Sequence, residues 1–170
     1  MPNRLFRWGR IPPPPGVTFD SVVTSGISSH AIDSNGYAWS VGSGFCGNLG
    51  NGSDSDYCCW VKVCCDYRYQ KISANNYSVM AIKTDGTAVA WGYNGCGKLG
   101  DGTTLSRCQP VAVCCDYCYS QISAGNCHTV AIKTDGTAVA WGDNPYGQLG
   151  DGTTTDQCVQ IGRASCRERV

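Results

Sequence analysis

The chain has 170 residues with a formal net charge of zero, 15% charged and 42% hydrophobic residues, 22 glycines and 13 cysteines. It contains no run of about 18 apolar residues, which excludes a membrane-spanning helix, and low charge with plentiful Gly, Val, Ile, Thr, Tyr and Trp argues for β structure over helix or disorder. Residues 11–160 carry seven Lys and Arg against twelve Asp, a body of net −5 that argues against sequence-independent nucleic-acid binding.

Residues 1–16 form an N-terminal segment with Arg4, Arg7, Arg10 and a run of prolines from Pro12 to Pro15. No apolar stretch follows its charges, so no secretory leader is expected. Three repeat units follow, at about 17–66, 67–116 and 117–160. Residues 131–142 repeat residues 81–92 letter for letter, 149–154 repeat 99–104, and 113–117 repeat 63–67, always at an offset of 50. The first unit is more diverged but keeps the register, matching Ala31-Ile32 to Ala81-Ile82, Gly42 to Gly92 and Leu49-Gly50 to Leu99-Gly100. It carries Val41 where the others have Trp91 and Trp141, with Trp39 two residues earlier. Trp8-Gly9 resembles the end of a further unit but lies too close for the period. Either a shortened Pro-rich connection or a start midway through a unit accounts for that.

Each unit reads as four short antiparallel strands. In the last, 121–124 is the first strand and 128–133 the second; Asp135-Gly136 is expected to supply two positive-φ positions of a tight hairpin turn. Residues 137–141 return with Val139 and Trp141 on one face and Ala138 and Ala140 on the other, and after a Gly-rich loop a fourth strand passes near Val159. The expected fold is therefore all-β, a partial β-propeller of about three four-stranded blades. Residues 161–170 break the repeat after Gln160 and resemble a translated sequencing adapter. They are expected to be a non-native tail, with the natural chain continuing into further blades.

The cysteines recur by duplication: Cys58, Cys108 and Cys158 share one repeat position, as do Cys46 and Cys96, Cys64 and Cys114, and Cys65 and Cys115. Without paired Cys-x2-Cys spacing, and with two His in the chain, they are expected to be small buried residues in a reducing compartment and not a zinc site. The vicinal pairs Cys58-Cys59, Cys64-Cys65 and Cys114-Cys115 are expected to point to opposite faces if they lie in strands. Cys127-His128 cannot be a nucleophile–base dyad on a strand for the same reason. The Asp-Gly loops lack the terminal Glu of an EF-hand and are read as turns. No catalytic residue, cofactor site or metal site is expected.

The run Ile-Ser-Ala-Gly…His-Thr-x-Ala-Ile-x-x-Asp-Gly-Thr…Trp-Gly-x-Asn-x-x-Gly-x-Leu-Gly-Asp-Gly-Thr, complete in residues 122–153, closely resembles the regulator of chromosome condensation repeat family, over roughly residues 17–160. That resemblance implies a propeller of usually seven blades whose strands are scaffold and whose loops bind a protein partner, with Tyr93, Asn94, Asn144, Tyr146, Tyr67 and Tyr117 as contact candidates. The family's namesake exchanges guanine nucleotide on a small GTPase by an inserted wedge, for which the strict spacing leaves no room here. An accessory propeller of a larger ubiquitin ligase is the third reading. A cytoplasmic or nuclear protein is expected.

Overall fold

A computed structural model describes residues 12–162. Residues 163–170 of the expected tail, the first eleven residues with Trp8-Gly9, and the arginines at both ends lie outside them. The described strands are β1 (Phe19–Thr24), β2 (Ser28–Asp33), β3 (Ala38–Gly42), β4 (Tyr57–Lys62), β5 (Tyr69–Ala74), β6 (Ser78–Lys83), β7 (Ala88–Gly92), β8 (Arg107–Ala112), β9 (Tyr119–Ala124), β10 (His128–Lys133), β11 (Ala138–Gly142) and β12 (Gln157–Gly162). They form three four-stranded sheets, each a simple antiparallel meander in chain order.

The second strands lie where the sequence places them; the turn after them differs in kind. Gly36, Gly86 and Gly136 have φ of 81°, 87° and 86°, whereas Asn35, Asp85 and Asp135 are absent from the positive-φ residues. In the second sheet Gly86 N–H donates to the Lys83 carbonyl and Lys83 N–H to that of Thr87, at 2.9 and 2.8 Å. This is a three-residue loop in which one residue, the glycine, takes the left-handed conformation. The Asp stays right-handed because its carboxylate is used: Asp85 Oδ1 accepts from the Thr87 N–H at 2.9 Å and from its hydroxyl at 2.7 Å.

The first strand of each sheet packs against the first two strands of the sheet before it, β5 on β1 and β2, and β9 on β5 and β6. Period-two alternation gives the middle sheet two apolar faces. Val79, Ala81, Val89 and Trp91 face the first sheet's Ile32, Ala38 and Val63. Met80, Ile82, Ala88 and Ala90 face Ala131, Val139 and Trp141 of the third. Burying such faces at roughly 25 cal/mol per Å² is what each neighbour contributes to the other. The inner edge forms a groove of about 320 Å³ lined by Ser21, Val23, Gln70, Lys71, Ile72, Gln121 and Ile122. Ile161 and Gly162, expected to belong to the tail, pair with Ala140 and Val139 as Val111 and Ala112 pair with Ala90 and Val89.

The first sheet solves the missing tryptophan locally. Trp39 Nε1 donates to Asp33 Oδ2 at 2.8 Å, and the other oxygen of that buried carboxylate accepts the N–H groups of Asn35 and Tyr37. His30, fully buried, is held between the hydroxyls of Ser28 at 2.8 Å and Ser40 at 2.9 Å.

Candidate functional site

Antiparallel order sends the loops 75–77, 93–106, 125–127 and 143–156 to one rim of the arc and the loops 84–87, 113–118 and 134–137 to the other. The six candidate contacts therefore divide. Tyr93, Asn94, Asn144 and Tyr146 belong to the first rim, Tyr67 and Tyr117 to the second.

On the first rim a long loop is wound around one asparagine. Asn94 Oδ1 accepts the Leu99 N–H at 2.9 Å while its Nδ2 donates to Asp101 Oδ1 at 3.1 Å and to the Thr103 carbonyl at 2.9 Å. Asn144 does the same with Leu149, Asp151 and Thr153. Both side chains are fully buried, so neither can touch a partner: they are corrected from contacts to loop cores. Fixed repeat spacing carried this signal, since an amide that must satisfy three loop groups recurs where the loop recurs. Asp101 is held below the usual carboxylate range: burial opposes ionisation, but hydrogen bonds from Thr103 and Arg107 outweigh it.

The surface of this rim is aromatic. Tyr146 is 92% exposed and Phe45 56%, and Phe45, Tyr77 and Tyr93 form an edge-to-face ladder with centroids 5.6 and 6.4 Å apart. Phe45 and Tyr77 were not among the sequence candidates; Phe45 lies in the diverged first unit and Tyr77 where the third unit has Cys127. Beneath the ladder Lys98 is buried, its ammonium 5.1 Å from the Tyr93 ring and donating to the Asn126 carbonyl at 3.0 Å. Burial lowers the Lys98 pKa, with the neighbouring Cys127, Cys96 and Cys46 opposing.

The second rim is patterned differently. Lys83 lies 5.0 Å from the Tyr67 ring and Lys133 4.6 Å from Tyr117, each lysine also paired to Asp85 or Asp135 in its own turn. Tyr67, Lys83, Asp85, Thr87, Asp116 and Tyr117 line a small hollow of about 210 Å³. Both tyrosines are about 40% exposed or less, edge-on to the buried Tyr69 and Tyr119.

The described cysteines are free thiols, and none is buried, contrary to the expectation for small core residues. Cys65 and Cys115 sit in the bends after β4 and β8 with φ of 75° and 67°, so two of the three vicinal pairs do not lie in strands. The Cys96 thiol is pushed up to about 11 by burial first, then by the Cys127 thiol and Asp143. That keeps it protonated and a poor nucleophile at neutral pH. Among the described residues no group of three or more His, Cys, Asp or Glu side chains is placed to hold a metal.

Sequence profiles described as the regulator of chromosome condensation (RCC1) repeat match residues 69–98 and 119–148 in one case and 85–132 in another. No curated protein sequence matches the chain. Among solved structures, human WBSCR16 superimposes with a TM-score of 0.75 at 22% identity, covering 87% of this chain and 40% of its own. Prp20p from Saccharomyces cerevisiae, described with its binding to Gsp1p and histones, gives 0.72 at 16% identity over 85% of this chain and 38% of its own. The yeast protein bound to Kap60 gives 0.73 at 18%, over 86% and 35%. The chain thus spans 40% or less of the length of these structures, and identities this low show the fold alone.

Proposed function

Because residues 69–148 belong to the RCC1 repeat family and the three sheets are blades of a β-propeller, we propose that the chain is a protein-binding scaffold without catalytic chemistry of its own, and that its partner sits on the rim bearing Phe45, Tyr77, Tyr93 and Tyr146. The observation that carries this reading is the contrast within that rim. The loops are internally satisfied around buried Asn94 and Asn144, while aromatic rings stand outside them, Tyr146 at 92% exposure. A pre-ordered loop presenting rigid aromatics binds with little entropy to lose, and aromatic anchors dominate interface energetics. The shielded, protonated Cys96 and the neutral, buried His30 are groups that such a scaffold leaves unused for chemistry.

The partner class is a protein. A small GTPase is the narrower form of the proposal, suggested by Prp20p's description with Gsp1p. The test is affinity capture with the full chain, the recovered partner then being titrated against purified variants. Tyr146→Ala with Phe45→Ala should weaken binding at least about tenfold, as loss of a hot-spot pair does, and lower the melting temperature by no more than about 5 °C, the cost of the Phe45–Tyr77 ring contact. Binding retained by that double variant but lost on Tyr67→Ala with Tyr117→Ala would move the site to the other rim.

A further inference from the structure

Two cysteines from neighbouring sheets meet on the first rim. Cys96 lies in the loop between β7 and β8 of the second sheet, Cys127 in the short loop between β9 and β10 of the third. Their thiols hydrogen-bond to each other across the boundary. The backbone on either side is pinned there. The Trp141 indole N–H and the Thr129 hydroxyl donate to the Lys98 carbonyl at 2.8 and 2.9 Å, and the Lys98 ammonium donates to the Asn126 carbonyl at 3.0 Å. Both cysteines are partly exposed, so a small solute reaches them.

The pair is particular to this boundary. Between the first and second sheets the same repeat positions hold Cys46 and Tyr77, a thiol and a ring. A second thiol–thiol hydrogen bond, Cys58 with Cys59, joins neighbours within β4 and spans no boundary.

We propose that Cys96 and Cys127 are a modification site, a dithiol that a low-molecular-weight disulfide of the glutathione class converts reversibly into a disulfide bond between the second and third sheets. Cys127 gives up its proton and its thiolate attacks one sulfur of glutathione disulfide, expelling one glutathione thiolate. Cys96 then gives up its proton and its sulfur displaces the second glutathione from Cys127. Two cysteine thiols are thereby oxidised to one disulfide, and one glutathione disulfide is reduced to two thiols. The Lys98 ammonium, in the field of both sulfurs, favours the anion through which each step passes. Because the Cys96 thiol is pushed up to about 11 by burial first, its step is the slow one. The same property makes the bond durable, since a dithiol that is not held as thiolate gains little by staying reduced. The bond closes residues 96–127 into a loop, which removes entropy from the unfolded chain. It staples the scaffold and gives it no catalytic chemistry, and it does not depend on which partner the aromatic rim binds.

The test treats the reduced full chain with glutathione disulfide, caps the remaining thiols with N-ethylmaleimide and digests with trypsin without reduction. Cleavage after Lys83, Lys98, Arg107 and Lys133 puts Cys96 alone in peptide 84–98 and Cys127 in peptide 108–133. These two peptides should be recovered linked, with fragment ions placing the bond at Cys127. The oxidised chain should melt more than about 5 °C above Cys127→Ser treated alike, and dithiothreitol should remove the difference. Cys96→Ser and Cys127→Ser should each abolish the link. Cys96 recovered as its maleimide or glutathione adduct, or linked to any cysteine other than Cys127, would overturn the assignment, and the fragment ions decide this in the native chain even where a variant does not fold. A Cys96–Cys127 link that brings no rise in melting temperature would overturn the staple.

Discussion

Acid should loosen this protein well before its carboxylates titrate, and His30 is the reason. Its ring is fully enclosed between β2 and β3, with both nitrogens on serine hydroxyls, and burial lowers its pKa from 6.5 to about 3. The folded chain keeps the ring neutral while the unfolded chain takes up a proton below about pH 6.5, so stability is full above that pH and falls as pH drops toward 3. One proton is worth about 1.4 kcal/mol per pH unit, so the loss at pH 5 should be about 2 kcal/mol. Asp85 and Asp135, lowered to about 2 first by the Thr87 and Thr137 hydroxyls, are depressed carboxyls whose contribution disappears only below about pH 4. The window from pH 4.5 to 6.5 therefore isolates the histidine. The middle sheet supplies the control, because Met80 faces Ala90 where His30 faces Ser40. Urea unfolding at pH 7.5, 6.0 and 5.0 should show the loss in the native chain, and the variant His30→Met with Ser40→Ala should be flat across the range. A native chain equally stable at pH 7.5 and 5.0, or a double variant with the same slope, would refute the reasoning.

Three further outcomes are expected. Asn94→Ala removes a fully buried amide and takes the acceptor from the Leu99 N–H and the donor from the Thr103 carbonyl; it should cost about 2–4 kcal/mol in urea unfolding, with amide exchange accelerated across residues 95–105. Trp141→Phe keeps the apolar bulk but strips the Lys98 carbonyl of its indole donor, leaving the Thr129 hydroxyl at 2.9 Å; the loss should be about 1–2 kcal/mol, and larger for Trp91→Phe, whose acceptor Asn48 has no such second donor. Tyr146→Ala should leave thermal stability within about 1 °C of native, since a ring 92% exposed gives up almost no burial.

Periodicity alone located the architecture. An offset of 50 defines three units, and the three sheets at 19–62, 69–112 and 119–162 keep it. The alternation of Val139 and Trp141 against Ala138 and Ala140 assigned faces correctly because one face meets a neighbouring sheet. Turn chemistry was half legible: Asp-Gly marks a turn, but whether the Asp takes positive φ depends on what its carboxylate binds, here Thr87, which a local reading does not weigh. Asn94 and Asn144 looked like rim contacts because a polar residue in a loop is usually outside; their burial comes from the loop closing around the amide, five residues on at Leu99 and Leu149, which no single residue type announces. The cysteines misled for the opposite reason, being apolar enough for a core yet placed on outer strands and bends. Phe45 and Tyr77 join into one surface only after the sheets pack, since they come from different repeat units.

The central claim is that a protein partner is held on the aromatic rim, and site-specific photocrosslinking tests it most directly. A benzophenone side chain placed at Tyr146 of the full chain should, on illumination in cell extract, yield a discrete protein adduct that unlabelled chain competes away, while the same group at Tyr117 yields none. An adduct formed at Tyr117 and not at Tyr146, or none at either position, would contradict the account.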